Sequence, residues 1–298
     1  MRIGLFLNEP RGDDPIGELR ENLAAAAADG FPSAWVSNIF GLDALTALAA
    51  TGDAAPGLEL GTAVVPTFPR HPAVLAQQAM TANAALGGRL TLGIGLSHQI
   101  VVENMYGYSY DKPARHMREY LSALIPLVKE GEVTFQGETI KADVRLRTPG
   151  RGLPVLIAAL APRMLHLAGA VADGTVLWMT GPKTVTGHVA PAVTAAAEQA
   201  GRPRPRIVCG LPVCVTDDPA AARERADEVF SVYGRLPSYR AMLDKEGAGG
   251  PGGVAVVGDE DSVRAQIQEL ADAGVTDFIA SEYSKRERTR QFLKGLVE

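Results

Sequence analysis

The chain has few cysteines, and this shortage excludes a disulfide-stabilised protein. Only two of its 298 residues are cysteine. Cys209 and Cys214 lie five positions apart on one predicted strand, an odd spacing that places their side chains on opposite faces. We therefore expect neither a disulfide nor a CxxC redox centre.

Long apolar stretches are also missing. The longest are the size of a strand and fall far short of the ~20 residues that a membrane span requires. The first residues hold too short an apolar segment for a signal peptide, and no small-residue cleavage site follows it. We therefore expect a cytoplasmic protein without a membrane anchor.

Positive charge does not dominate the sequence. The 29 Lys and Arg residues are outnumbered by 34 Asp and Glu residues, and no basic run occurs. Nucleic acid is therefore not an expected partner. With 46% hydrophobic and 21% charged residues, the composition is that of a globular protein that can bury a large core.

Several motifs of catalysis or nucleotide binding are incomplete. Segment 93–98 begins like GxGxxG, but His98 stands at the position of the third glycine. The glycine-rich segment 247–253 lacks the Lys-Ser/Thr of a P-loop, and we interpret it as a mobile lid. No HExxH spacing, histidine–carboxylate cluster or GxSxG elbow occurs. The sequence thus predicts no Rossmann site, no metal site and no hydrolase triad.

Eight β-branched or leucine-rich runs alternate with alanine-rich helical patterns, which is typical of repeated βα units. Several runs show little alternation, as expected of strands buried on both faces. Eight such units in this length favour an α/β fold of the (β/α)8 TIM barrel type over a doubly wound sheet. The predicted strands are 3–7, 34–37, 58–65, 90–96, 154–158, 175–178, 207–215 and 275–280.

Helix signals and segment lengths predict how the units are connected. Asp14-Pro15 and Asp218-Pro219 each place an aspartate N-cap before a proline at the first helical position. Two segments between strands are longer than one helix requires. We therefore predict one domain, 1–298, with insertions after strands 4 and 7 at about 97–152 and 216–258. The first is predicted to hold a helix over 113–129 and a hairpin with its turn at 135–138.

A TIM barrel carries its active site at the C-terminal ends of its strands. His98 follows the fourth predicted strand, where a neutral imidazole can donate to or accept from a bound ring. Helix starts follow strands five and six at Pro162-Arg163 and Pro182-Lys183. Each combines free backbone amides with a cation, a pattern that suits a phosphate, although ordinary helix capping explains it equally well.

Seven short segments, in order along nearly the whole chain, carry a family resemblance. They are LGTAVVP at 60–66, HPAVLAQQ at 71–78, GGRLTLGIG at 87–95, PVLIAALAPRM at 154–164, ADG at 172–174, GD at 258–259 and AGVTDF at 273–278. As a set they resemble the luciferase-like monooxygenase superfamily, in particular its branch that uses the deazaflavin coenzyme F420. The family folds as a (β/α)8 barrel with insertions.

The resemblance implies a deazaflavin or flavin lying across the C-terminal mouth of the barrel. It also implies a non-proline cis peptide at Ala63–Val64, and phosphate contacts near 159–160 and at 180–183. The cofactor-binding residues that it implies are Ser37, Asn38, Thr62, Ala63, Val64, Ser97, Ala159, Leu160, Thr180, Gly181 and Lys183.

One departure from the family concerns the proton donor. Many relatives carry an Asp-His or similar pair after the second strand, where this chain has Ser37-Asn38 and hence no titrating acid. The candidate catalytic residues are instead His98, Glu103 and Tyr106, on the loop after the fourth strand. The candidate substrate-binding residues at the mouth are Asn8, Glu9, Phe40 and Phe68.

The resemblance implies an oxidoreductase that transfers a hydride between C5 of the deazaflavin and a small organic substrate with an activated C=C, C=N or C=O bond. Arginine exceeds lysine and alanine is abundant, which indicates a GC-rich genome of the kind in which F420 users are often found. This favours F420 over FMN. An FMN-dependent monooxygenase is the alternative, and a non-catalytic flavin-binding or partner subunit is a second one. A homodimer is expected, because the family commonly dimerises.

Overall fold

Parallel strands dominate the computed structural model, which describes residues 1–10 and 12–297. In chain order the strands are β1 (Arg2–Leu7), β2 (Ser33–Val36), β3 (Glu59–Thr62), β4 (Val65–Pro66), β5 (Leu90–Gly95), β6 (Glu132–Gln136), β7 (Lys141–Arg145), β8 (Val155–Ala158), β9 (Gly174–Trp178), β10 (Arg206–Val215), β11 (Val256–Gly258) and β12 (Asp277–Glu282).

Eight of these strands close into a barrel. Going round it, β1, β2, β3, β5, β8, β9, β10 and β12 pair in parallel, and β12 returns to β1 with Arg2 opposite Asp277. The short strands β4 and β11 extend the sheet at β5 and β10. The predicted TIM barrel is therefore confirmed. The predicted strand 58–65 is in fact two strands, because the chain breaks its ladder at residues 63–64.

Helices cover the outside of the barrel. They are α1 (Pro15–Ala28), α2 (Ala44–Thr51), α3 (Pro72–Ala85), α4 (Pro113–Lys129), α5 (Pro162–Ala170), α6 (Pro182–Thr184), α7 (Ala190–Gln199), α8 (Pro219–Val229), α9 (Ser231–Arg235), α10 (Pro237–Glu246), α11 (Glu260–Asp272) and α12 (Arg286–Lys294). The aspartate caps act as predicted: Asp14 accepts from the Gly17 N–H at 2.9 Å and Asp218 from the Ala221 N–H at 3.1 Å.

The long segment after β5 contains α4 and an antiparallel hairpin. The hairpin pairs β6 with β7, with Glu132 opposite Arg145. Its turn lies at residues 137–140, two positions later than predicted. The carboxylate of Glu119, from α4, accepts hydrogen bonds there from the backbone N–H groups of Glu138, Thr139 and Ile140 at 2.8–3.2 Å.

The glycine-rich segment 247–253 is not the mobile lid that its composition suggests. Arg223 and Asp227, both on α8, hydrogen-bond the carbonyl and the N–H of Gly252 at 2.8 Å each. Arg240 donates to the Gly249 carbonyl at 2.8 Å. These side chains supply the contacts that a run of glycines lacks, so the segment packs against α8.

Charged side chains close the N-terminal end of the barrel. Arg206, at the start of β10, pairs with Glu59 and Asp277 at 2.8 Å each and lies over the Trp35 ring, 5.9 Å from its centroid. Above it the barrel interior is filled by Trp35, Leu156, Val176, Val208 and Ile279. This end therefore serves stability.

Two further observations concern the described residues as a whole. Both cysteines are buried free thiols. None of the helices within 1–10 and 12–297 is both long enough and apolar enough to cross a membrane.

Candidate active site

The C-terminal end of the barrel has an apolar floor that water partly reaches. Phe6, Ala63 and Val64 pack against the interior cluster and remain partly exposed. The peptide bond between Ala63 and Val64 is cis, as the resemblance implies. A Cβ at Gly95 would lie 2.6 Å from Val64 Cγ2, so only glycine allows β5 to approach this floor so closely.

Thr62 lies beneath this floor and is fully buried. Its hydroxyl donates to the Gly93 carbonyl at 2.8 Å and accepts from the Gly93 N–H at 2.9 Å. Both hydrogen-bonding capacities are thus used to fix β3 against β5. Its side chain shapes the site from below rather than pointing a free hydroxyl at the mouth.

Trp178, at the end of β9, forms one wall of the mouth. Its ring makes edge contacts with Phe6, Phe230 and Tyr233, with centroids 5.1–5.8 Å apart. Among the residues that the structure describes, its indole nitrogen is the one buried side-chain nitrogen or oxygen without a partner at normal hydrogen-bond distance and angle. Burial raises the pKa of the Tyr233 hydroxyl overall, although the nearby indole lowers that pKa in part, so the two side chains interact.

A second wall comes from α9 and α10, between β10 and β11. Tyr233 and Tyr239 contact each other edge to face at 5.2 Å, and Tyr239 reaches the His98 ring at 5.6 Å. Burial lowers the pKa of His98 and raises the pKa of both tyrosines. All three rings are therefore neutral near pH 7.

The predicted catalytic residues share one loop, and His98 and Glu103 contact different neighbours. His98 lies against Tyr239, whereas Glu103 is exposed and accepts hydrogen bonds from the Gln99 side chain at 3.0 Å and the Tyr110 N–H at 3.3 Å. Tyr106 is half-buried at the end of the π-turn Val101–Met105. Ser97, in the left-handed region with φ 61°, accepts from the Tyr110 hydroxyl at 3.3 Å.

The residues predicted after β1 and β2 do lie together. Asn8, Glu9 and Ser37 line one small cavity. Asn8 donates to the Glu282 carbonyl at 3.1 Å, and Asn38 accepts from the Ala44 N–H at 3.0 Å, so these amides position the loops. Phe40, by contrast, is 62% exposed.

Phe68 lies in a cleft of about 580 Å³ beside the mouth. Its ring stacks on His116 at 4.0 Å and on Tyr110 at 5.5 Å. Burial lowers the pKa of His116 to about 4, so this imidazole is neutral and hydrogen-bonds the Thr67 hydroxyl at 3.1 Å. Arg70, Lys112 and Arg115 also line the cleft.

The two predicted phosphate segments differ in what they contact. Near the first, Ala159 is buried and the Leu160 carbonyl accepts from His188 Nε2 at 2.8 Å. Near the second, Thr180 and Gly181 are buried, Lys183 has an exposed side chain, and the helix start is hydrogen-bonded to the carboxylate of Glu246. Glu246 is not among the predicted site residues, because no local motif marks a contact made across 62 residues.

No group of three or more His, Cys, Asp or Glu side chains among residues 1–10 and 12–297 is arranged to hold a metal ion.

Comparison with known proteins identifies relatives of the whole chain. The family described as luciferase-like monooxygenase matches residues 1–277. A 5,10-methylenetetrahydromethanopterin reductase of Methanolobus tindarius is 26% identical over 90% of both chains. A Mycobacterium tuberculosis protein, provisionally named a coenzyme F420-dependent oxidoreductase, is 29% identical over 78% of this chain and 72% of its own.

Solved structures share the fold at lower identity. The coenzyme F420-dependent tetrahydromethanopterin reductase of Methanopyrus kandleri superposes with a TM-score of 0.82 at 20% identity, over 98% of this chain and 97% of its own. The FMN-bound oxygenating component of 3,6-diketocamphane monooxygenase from Pseudomonas putida superposes with a TM-score of 0.78 at 17% identity, over 100% and 97%.

Proposed function

Because the chain belongs to the luciferase-like monooxygenase family, a family of oxidoreductases, we propose that it is an F420-dependent oxidoreductase. The reaction is hydride transfer between C5 of the deazaflavin and a small organic substrate with an activated C=C, C=N or C=O bond. The observation that carries the proposal is the partly exposed apolar floor of the mouth, formed by Phe6, Ala63 and Val64 and bounded by the Trp178 ring.

The residues at the mouth fit a flat heteroaromatic ring. Phe6, Ala63 and Val64 offer an apolar surface to one ring face. The Trp178 ring, which packs edge-on against Phe6, bounds this surface on one side. When bound there, F420 supplies a carbon that carries the hydride, and the protein supplies position and a dry surrounding.

Other residues complete the proposed cofactor site. Ser37, Asn38 and Ser97 hold the rim, and Thr62 supports the floor from below. The backbone at Ala159 and Leu160, and the segment 180–183 with the Lys183 ammonium group, hold the phosphate by charge-assisted hydrogen bonds.

The proposed proton donor is His98, Glu103 or Tyr106. His98 and Tyr106 are half-buried and His98 lies against Tyr239, whereas Glu103 is exposed. Because burial lowers the pKa of His98, its neutral imidazole is suited to accept a proton when the reaction runs toward substrate oxidation. The proposed substrate contacts are Asn8 and Glu9 on one side and Phe68 in the adjoining cleft on the other, with Phe40 able to cover the substrate from its exposed loop.

A titration of the purified protein with F420 and with FMN tests the cofactor. Cofactor fluorescence is followed in parallel samples at one ionic strength, and we expect tighter binding of F420. Tighter binding of FMN would instead favour the oxygen-dependent monooxygenase, a reaction represented among proteins of the same fold. Binding of neither would favour the non-catalytic subunit.

The oligomeric state belongs to the same proposal. We propose a homodimer, so light scattering should give twice the 31.4 kDa of one chain. We also propose a single domain, because β1 and β12, from the two ends of the chain, pair in one barrel.

A further inference from the structure

The start of the helical segment 182–199 already binds an anion, and that anion belongs to the chain itself. This segment runs through α6, a π-turn and α7 without a break. Glu246 Oε1 accepts from the Lys183 N–H at 3.1 Å, and Oε2 accepts from the Thr184 N–H at 2.9 Å and the Thr184 hydroxyl at 2.8 Å. Two amides and a hydroxyl thus enclose one carboxylate.

The carboxylate fits this position closely. A Cβ at Gly181 would lie 2.5 Å from the Glu246 carboxyl carbon, so glycine leaves the space that the carboxylate fills. The Thr184 hydroxyl also lies 3.3 Å from the Met242 carbonyl, which fixes the helix that carries Glu246.

That helix also covers the mouth. Glu246 is the last residue of α10, and Tyr239, two turns earlier, lies against His98 and Tyr233. One helix thus carries both the carboxylate at the helix start and the tyrosine beside His98.

We propose that Glu246 is a latch: it competes with the cofactor phosphate for the amides at 182–184, and its displacement moves α10 and uncovers the mouth. The inference rests on the proposed function, in which segment 180–183 holds that phosphate. One set of donors cannot serve two anions, and two negative charges a few ångströms apart repel each other. A latch that keeps the site closed for about nine-tenths of the time reduces the apparent affinity about tenfold.

The test compares F420 with its phosphate-free deazaflavin core, in wild type and in Glu246→Ala. We expect the variant to bind both F420 and the core about tenfold more tightly, because removal of the latch leaves the mouth open to either ligand. Glu246→Gln keeps the shape of the side chain and removes its charge, so it should shift F420 affinity in the same direction. Glu224→Ala removes an exposed carboxylate from α8 and is the matched control, so it should change neither affinity. If wild type binds F420, equal or weaker F420 binding by both Glu246 variants would overturn the latch.

A second measurement separates the latch from the choice of cofactor. Inorganic phosphate alone is titrated into each protein, and the fluorescence of Trp178, whose ring contacts Tyr233, reports movement of α10. The chain has two tryptophans, so the fluorescence of Trp178→Phe gives the contribution of the fully buried Trp35, which is then subtracted. We expect Glu246→Ala to respond at about tenfold lower phosphate than wild type. If neither protein binds F420 but this difference is found, the proposed function fails and the latch stands; the same phosphate response in both proteins overturns the latch.

Discussion

At the scale of single residues, substitution of Lys183 tests whether segment 180–183 binds the cofactor phosphate. Its side chain is exposed beside the amides of the helix start. A charge-assisted hydrogen bond contributes about 1.5–3 kcal/mol, so Lys183→Ala should weaken F420 binding by about 10- to 100-fold. Fluorescence titration measures the change, with Lys129→Ala, an exposed lysine at the end of α4, as the control. Unchanged affinity would move the phosphate away from this segment.

His116 makes stability depend on pH. Its pKa in the folded protein is about 4, below the ordinary value of 6.5, because burial disfavours the charged ring. Between these values the unfolded chain binds more protons than the folded one, so the free energy of unfolding falls as pH falls. From pH 7 to pH 5 we expect a loss of about 1–2 kcal/mol from this residue, given its partial exposure.

Urea unfolding at several pH values measures that dependence. His116→Phe keeps a ring against Phe68 and removes the titrating group, so its curve should be flatter than that of wild type between pH 7 and pH 5. Parallel pH dependences for the two proteins would show that another group is responsible.

At the scale of elements, the Glu119 carboxylate holds the hairpin turn to α4. It is 4% exposed and accepts from three backbone N–H groups and the Thr139 hydroxyl. Glu119→Ala leaves these buried donors unpaired and should lower the free energy of unfolding by about 3 kcal/mol. Glu119→Gln, which keeps one acceptor oxygen, should cost less. Denaturant midpoints measure both, and a neutral Ala variant would contradict the role of the turn contacts.

Elements were predictable where local signals set them. The helix over 113–129 is found at those residues, and Asp14 and Asp218 cap the helices that they precede. The hairpin turn, the ordered segment 247–253 and the break at 63–64 depend on contacts with distant elements. Neither composition nor periodicity reports such contacts, so the glycines of 247–253 suggest mobility that Arg223 and Asp227 in fact remove.

At the scale of the whole molecule, Arg206 joins strands from three parts of the barrel. It links β10 to Glu59 of β3 and to Asp277 of β12, whose side chain is 4% exposed. Arg206→Ala leaves these carboxylates with only the more exposed Arg2, which lies 2.7 Å from Glu59 and 3.3 Å from Asp277, and should cost about 2 kcal/mol. Arg225→Ala, which removes an exposed pair with Glu228, should cost less than about 0.5 kcal/mol. Denaturant unfolding compares the two, and equal effects would contradict the structural role of Arg206.

The eight-stranded barrel follows from the count of βα units, because each unit carries its own pattern of runs and caps. The residues that form the site can be predicted from the sequence only in part. Residues at strand ends such as His98 and Trp178 can be found from their position, but Glu246 and Tyr239 reach the mouth from a segment whose docking no pattern specifies.

The closed N-terminal end of the barrel constrains the order of events during turnover. Arg206, Glu59, Asp277 and the buried Trp35 block that end, so ligands of the floor pass through the C-terminal mouth. Because the barrel is open at one end only, the ligand that binds deeper must bind first and leave last. A ring seated on Ala63 and Val64 lies below a substrate held beside Phe68. Steady-state kinetics should therefore follow a compulsory-order sequence in which the cofactor binds before its reaction partner.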